Sequence, residues 1–272
     1  MELIVLGAAP AYTDRAGSAA SSYVIRHADA ALLLDLGQGA FANLASTLEP
    51  SSLSAILVSH LHPDHFVDLV PLRHYLKWDF DPSRRVRVLG PAGLADRLDA
   101  VNGSPGFSAA ALDVEQLSEG VRRIGPFEVT VRLVDHTDES YAFRVVVAAD
   151  GSGPAGPGGS VAGSGAAMGS GAGTCAGLVF SGDCARAEDL IPLIHPGDTL
   201  LSEASFGAGP VLPGAQHITS GDAGRAASTG GASRLLLTHV LSSRSRGAIL
   251  DAAHAAFAGP VQLVIEGDRF EI

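Results

Sequence analysis

Short apolar runs recur along the whole chain, and they predict the strands of a buried sheet. Glycine or proline follows several of them, as at Gly7 and at Gly90-Pro91, and marks where a strand ends. The predicted strands lie at Glu2–Leu6, Ser21–Ile25, Ala31–Leu34, Ala55–Val58, Val86–Leu89, Leu112–Leu117, Phe127–Val134, Tyr141–Val147, Ala176–Phe180, Thr199–Leu201, Leu235–His239 and Val261–Ile265.

Apolar residues three or four positions apart predict helices between these strands, as with Leu69, Leu72 and Leu76. The predicted helices lie at Phe41–Leu48, Phe66–Trp78, Leu94–Val101, Arg186–Ile194, Ser220–Ala227 and Arg246–Phe257. The mixture of interleaved strands and helices indicates an α/β protein.

A dense group of metal-capable side chains follows the fourth predicted strand. The sequence there reads Ser59-His60-Leu61-His62-Pro63-Asp64-His65. Imidazole and carboxylate groups bind zinc and its neighbours, and turns at the carboxyl ends of strands are where open sheets place such sites. A polar surface turn that happens to be rich in histidine is the alternative, but four ligands at this spacing disfavour it. The segment therefore offers ligands for the beginning of two metal positions.

The H-x-H-x-D-H pattern resembles the signature of the metallo-β-lactamase superfamily. The resemblance implies an αββα sandwich, in which two mixed β-sheets are flanked by helices, with one or two zinc ions at one edge. It extends over nearly the whole chain, because His136, Asp183 and His239 follow later strands in the expected order.

The family pattern implies a complete ligand set for two zinc ions per chain, with Mn²⁺ or Fe²⁺ as alternatives. Its first ion would be bound by His60, His62 and His136, its second by Asp64, His65 and His239, and Asp183 would bridge them. A hydroxide between the ions would be the nucleophile. Asp35, in the turn after the third strand, is expected to support a ligand from behind, and Asp135 to orient the ring of His136.

Two further residues narrow the chemistry. Glu203-Ala204-Ser205 and His217-Ile218-Thr219 resemble the E-A-T and H-S-T motifs of the phosphodiesterase branch, which includes tRNase Z and class II-like cyclic nucleotide phosphodiesterases. With Asp64, Glu203 and His217 are the candidate catalytic residues, because a protonated histidine held by a carboxylate can protonate an alkoxide leaving group. Ser202 departs from the motif, which usually has histidine there. The alternative interpretation is that neither residue is catalytic: Glu203 would be a surface charge at a strand end, and His217 a neighbour of a helix N-cap.

Charge and composition favour a small substrate. The net charge of −11 repels phosphate backbones, and Lys77 is the only lysine. The Gly/Ala/Ser-rich insertion at about 150–177 lies where tRNase Z carries its substrate-binding arm, but it has no basic or aromatic residue. We expect it to be a flexible excursion from a single domain spanning residues 1–272. A 3′,5′-cyclic nucleotide fits better than tRNA, and Arg15 or Arg244 is a candidate contact to its phosphate.

Several alternatives remain. The first is a tRNA 3′-end endonuclease like tRNase Z. The second, of another class, is a non-catalytic metal-dependent binding module. A β-lactamase is disfavoured because no export signal is evident, and glyoxalase II because little chain follows the last ligand. With no apolar run near the ~20 residues of a membrane span, the expected location is cytoplasmic. Members of this branch are often homodimers, and both cysteines are interpreted as structural.

Overall fold

The structure is a computed structural model that describes residues 1–148, 175–211 and 213–272. Within these residues, fourteen strands form two seven-stranded sheets. The first sheet has the order β14-β1-β2-β3-β4-β5-β6. Its strands are β1 (Glu2–Gly7), β2 (Ser22–His27), β3 (Ala30–Leu34), β4 (Ala55–Leu57), β5 (Val86–Gly90), β6 (Leu112–Gln116) and β14 (Arg269–Glu271).

The second sheet has the order β13-β12-β11-β10-β9-β8-β7. Its strands are β7 (Gly120–Ile124), β8 (Phe127–Val134), β9 (Ser140–Val147), β10 (Leu178–Phe180), β11 (Thr199–Glu203), β12 (Arg234–Thr238) and β13 (Val261–Leu263). Both sheets are mixed, since β3 to β6 and β10 to β13 are parallel and the remaining pairs are antiparallel.

Helices cover the outer faces of both sheets. They are α1 (Ala40–Thr47), α2 (Pro63–Phe66), α3 (Leu69–Trp78), α4 (Leu94–Asn102), α5 (Ser220–Gly230) and α6 (Arg246–Ala256). Among the helices of the described residues, none has the length and apolar character needed to cross a lipid bilayer.

The alternation of side chains along β4 explains the layered core. Ala55 and Leu57 point between the two sheets, where they join the aromatic rings of Tyr23 and Phe143. Ile56 points the other way, into the layer beneath the helices. Because successive residues of a strand face opposite sides, one apolar run fills two layers. The second sheet packs on α5 and α6 in the same way, and the predicted αββα sandwich is confirmed.

Two predicted helices are wrong in detail. The stretch from 66 to 78 is interrupted because the Asp68 N–H donates to the Leu36 carbonyl (3.1 Å) instead of continuing the helix. The stretch from 186 to 194 forms two 3₁₀ turns, Ala187–Asp189 and Ile191–Leu193. Pro192 lies in the second turn and has no N–H to donate, which shortens helical structure there.

The edge strands β7 and β14 were not predicted. Both are mostly exposed or half-buried, so they lack the apolar run that marks the central strands. Most of the predicted insertion at about 150–177 lies outside the described residues, and its flexibility remains a prediction.

Strand direction brings the candidate residues together. The parallel strands β10, β11 and β12 end at the same edge of their sheet, and β8 ends there too because it is antiparallel to β9, which is antiparallel to β10. In the first sheet, β3 and β4 are parallel and end side by side. The segments that follow these strands carry all the candidate ligands.

Candidate metal centre

One group of candidate ligands combines residues from both sheets. His60 and His62 follow β4, His136 follows β8, and Asp183 follows β10. The Nε2 atom of His60 lies 3.0 Å from His62 Nδ1 and 3.7 Å from Asp183 Oδ2, and His136 Nε2 lies 3.4 Å from His62 Nδ1. One donor atom from each of the four lies within 4.8 Å of the others.

The second group lies beside the first. Pro63 begins α2 immediately after His62, so Asp64 and His65 occupy the first turn of that short helix. His239 Nε2 approaches them from the end of β12, at 3.1 Å from Asp64 Oδ2 and 3.3 Å from His65 Nε2. Asp183 Oδ2 lies 3.5 Å from His65 Nε2 and 3.6 Å from His239 Nε2, so it reaches both groups.

In four of the histidine rings, Nδ1 is engaged outside the two groups. These contacts are His60 to Ser59 Oγ (3.1 Å), His65 to Asp35 Oδ2 (2.7 Å), His136 to the Gln216 carbonyl (2.8 Å) and His239 to Ser205 Oγ (2.9 Å). The Ser59 hydroxyl donates its one proton to Asp35 Oδ2 (2.8 Å), so it must accept from His60.

Ser205 works in the same way on the other sheet. Its hydroxyl donates to Glu203 Oε2 (2.7 Å) and therefore accepts from Nδ1 of His239. With Nδ1 protonated, Nε2 of each ring presents a lone pair to its neighbours. The Nε2 atoms of His65 and His239 lie 3.3 Å apart, and two lone pairs at that distance repel one another unless a proton or a cation lies between them. The donor set therefore fits divalent metal ions such as zinc.

Buried negative charge also fits bound cations. Four carboxylates of the centre are at most 5% exposed: Asp35, Asp64, Asp183 and Glu203. Within the part of the chain that the structure describes, they pair with histidines and with no arginine or lysine. Although burial alone would raise it, the imidazoles of His239 and His65 hold the pKa of Asp183 well below its usual range. Burial and the charge of His65 lower the pKa of His60, which favours the neutral, metal-binding form.

Glu203 and His217 form a pair against this centre. A capping box between Thr219 and Asp222 begins α5 and fixes the chain that enters it, so His217 lies two residues before the N-cap. Its Nδ1 lies 3.0 Å from Glu203 Oε1 and 3.7 Å from Asp183 Oδ2. Burial opposes protonation, but the hydrogen bond and charge of Glu203, together with Asp183, raise the pKa of His217 to about 9.

The interpretation of Glu203 as a surface charge is wrong. The residue is 1% exposed, and the Cys184 N–H and the Ser205 hydroxyl both donate to its carboxylate, at 2.8 and 2.7 Å. His217 keeps 25% of its side chain exposed, so a molecule bound at the centre can reach it. Ser202, where the motif usually has histidine, is buried and donates to the Glu203 carbonyl (2.9 Å).

Residues 31–240 match the family described as the β-lactamase superfamily domain. The chain belongs to this superfamily. A relative in Mycobacterium leprae, an uncharacterized protein, is 32% identical over 264 residues, which cover 94% of this chain and 83% of the relative. The match spans every candidate ligand, so the metal-dependent hydrolase family that the motifs resemble is confirmed.

Solved structures share the fold. The metallo-β-lactamase fold protein YhfI from Bacillus subtilis aligns with a TM-score of 0.80 and 23% identity, over 99% of each chain. Human tRNase Z, short form, aligns with a TM-score of 0.69 and 20% identity, over 100% of this chain and 99% of that one. At these identities the likeness supports the superfamily fold and leaves the substrate open.

The structure corrects one expectation within the superfamily site. Asp135 does not contact the ring of His136; its side chain is half exposed and lies 3.4 Å from Arg186 Nε. The main-chain carbonyl of Gln216 takes that role instead. A carbonyl oxygen is present at every residue, so no side-chain pattern could have indicated Gln216.

Asp35 supports the centre as expected, and its charge can be tested alone. It accepts from His65 Nδ1 and from the Ser59 N–H, both at 2.7 Å. Its φ of 56° is left-handed, a conformation that asparagine also tolerates. We expect Asp35→Asn to weaken metal affinity about 10–100-fold with the fold intact, as measured by competition with a chelator. The exposed Asp29→Asn is the matched control; equal affinities in both variants would contradict the assignment.

Proposed function

We propose that this chain is a metal-dependent phosphodiesterase that acts on small phosphodiesters such as cyclic nucleotides. The observation that carries the proposal is the buried Glu203 carboxylate, which holds His217 against the two groups of metal-binding side chains. Hydrolysis of a phosphodiester expels an alkoxide, which needs a proton far more than a phenolate or a thiolate does.

The two groups would each hold one divalent ion, and Asp183 would contact both. Histidine nitrogens and carboxylate oxygens suit zinc best and also accept manganese or iron. Bound ions of this kind lower the pKa of water and stabilise negative charge on a phosphate. The protein residues fix the ring orientations, since Ser59, Asp35, the Gln216 carbonyl and Ser205 each hold an Nδ1 atom.

His217 is the proposed general acid. Its Nδ1 is hydrogen-bonded to Glu203, which leaves Nε2–H as the proton that can be transferred. Glu203 is a positioning residue: it orients the ring and stabilises its protonated form. The carboxylate is itself held by the Cys184 N–H and by Ser205, so the pair is rigid before a substrate arrives.

A small substrate is supported by the charge distribution. Within the described residues, seven arginines lie within 4.0 Å of a carboxylate, which neutralises them as phosphate contacts. The net charge of −11 opposes a long nucleic-acid footprint. Precursor tRNA remains the second candidate, because the Glu203-Ala204-Ser205 and His217-Ile218-Thr219 motifs resemble those of tRNase Z and the human short form shares the fold.

The first assay is hydrolysis of 3′,5′-cyclic AMP by the zinc-loaded protein. We expect turnover that a chelator abolishes and that added zinc restores, measured by chromatographic separation of the nucleotide products. Turnover of precursor tRNA without turnover of any small diester would instead favour the endonuclease. Metal bound at both positions, with no hydrolysis of either class, would overturn the enzymatic proposal in favour of a binding module.

A further inference from the structure

A small cavity lies beside the metal centre, and residues next to the ligand His239 form part of its wall. Its volume is about 50 Å³, and its walls include Ala8 and Val240. Ala8 accepts a hydrogen bond from the His239 N–H (3.0 Å), and Val240 follows His239 directly. The cavity thus begins one residue beyond the last candidate ligand, although none of the ligands lines it.

The lining of the cavity carries a net positive charge, whereas the protein as a whole is negatively charged. Three arginines line it, Arg15, Arg244 and Arg246, against a single carboxylate, Glu266. Glu266 already accepts from the Ser18 hydroxyl (2.7 Å) and the Ala19 N–H (3.0 Å). In a chain with a net charge of −11, three guanidinium groups at one cavity create a local positive field.

Arg244 has an unmet hydrogen-bonding group. Its Nε atom is buried and, among the described residues, has no hydrogen-bond partner. Its stem is fixed against Gly207, where an added Cβ would approach Arg244 Cβ to 3.1 Å. A buried donor without a partner destabilises the protein, so a ligand that accepts a hydrogen bond from it removes that cost and binds more tightly.

The geometry points to an anion subsite that binds a second phosphate group of the substrate, at a distance from the phosphodiester that is cleaved. Guanidinium groups bind phosphate through paired hydrogen bonds, and the hydroxyls of Thr13 and Ser242 add further polar groups to the lining.

The inference rests on the proposed function and narrows its substrate class. A cyclic mononucleotide has one phosphate, which the metal centre would take, and it leaves the cavity unused. A phosphodiester that also carries a terminal phosphate would occupy both places. Hydrolysis is the same in each case: one water is added, and one phosphodiester becomes a phosphomonoester and an alcohol.

The test compares two dinucleotides that differ by one phosphate, ApA and its 5′-phosphorylated form pApA. We expect kcat/KM of the zinc-loaded protein to be about 10–100-fold higher for pApA. Arg244→Gln and Arg15→Gln should bring the ratio close to one; Arg15 is exposed, so its replacement leaves the core intact. Arg97→Gln, on the exposed face of α4, is the control that removes the same charge elsewhere. A ratio near one in the unaltered protein, or a ratio kept by both cavity variants, would overturn the subsite.

A binding measurement separates this inference from the proposed function. If neither the dinucleotides nor 3′,5′-cyclic AMP is hydrolysed, the phosphodiesterase proposal fails, and calorimetric titration with inorganic phosphate decides the subsite. Phosphate also binds at the metal ions, but this binding is the same in all variants. A difference between their isotherms therefore reports binding in the cavity. Weaker binding by Arg244→Gln and Arg15→Gln than by Arg97→Gln supports the subsite, and equal isotherms refute it.

Discussion

His62→Ala is expected to empty the first metal position and to lower hydrolysis by at least ~10³-fold, because both ligand geometry and charge stabilisation are lost. His62 Nδ1 lies between the rings of His60 and His136, at 3.0 and 3.4 Å from their Nε2 atoms. The residue is only half-buried, so its removal leaves no large cavity in the core. Elemental analysis and the rate with a phosphodiester measure the two effects.

The exposed His254 on α6 provides the control for this experiment. His254→Ala removes an identical side chain that belongs to none of the groups of metal-binding residues, so it should change neither metal content nor rate. If His62→Ala retained two metals per chain and the rate of the unaltered protein, the assignment of the first group would be wrong.

His217→Ala is expected to slow the cleavage of an alkyl phosphodiester about 10²–10⁴-fold while both metals stay bound, the range typical of a lost general acid. His217 lies 3.7 Å from Asp183 Oδ2 and can join Asp183 and His239 in a third group of donor atoms, but it belongs to neither of the two groups described above. Its contribution should therefore depend on the leaving group. The p-nitrophenolate leaving group of a p-nitrophenyl phosphodiester needs no proton to depart. The rate of the same variant should therefore fall less than about tenfold with that substrate.

Glu203→Gln provides the companion measurement. The amide keeps the size of the side chain but removes the charge that favours protonated His217. We expect it to reproduce the leaving-group dependence of His217→Ala in weaker form. Equal losses with alkyl and p-nitrophenyl esters would instead mean that the pair positions the substrate and donates no proton.

The sequence locates the centre well because its ligands follow strands. His60, His136, Asp183 and His239 each come one to three residues after a strand end, and parallel strands carry such residues to one edge. The positions of these residues relative to the predicted strands are therefore enough to predict that they lie close together. Glu203 was recognised by resemblance alone, since nothing in its local sequence shows that it is 1% exposed.

The contacts that orient the rings could not be predicted in the same way. Ser205 meets His239 across 34 residues of sequence, and Gln216 meets His136 across 80. These pairs form only when loops from different strands are packed together, and serine hydroxyls or main-chain carbonyls have no distinctive spacing. The edge strands escaped prediction for a related reason, because their mostly exposed side chains show no apolar period.

Each metal position draws ligands from both sheets, and this makes an ion a cross-link between the halves of the fold. His65 and His239, which meet within 3.3 Å, are separated by 174 residues of chain. The apolar layer between the sheets is made of other residues, so bound ions add a separate link at this edge. Ions that bind only the closed edge stabilise it by mass action. The metal supply of the cell would then set the resistance of this edge to proteases as well as the rate of catalysis.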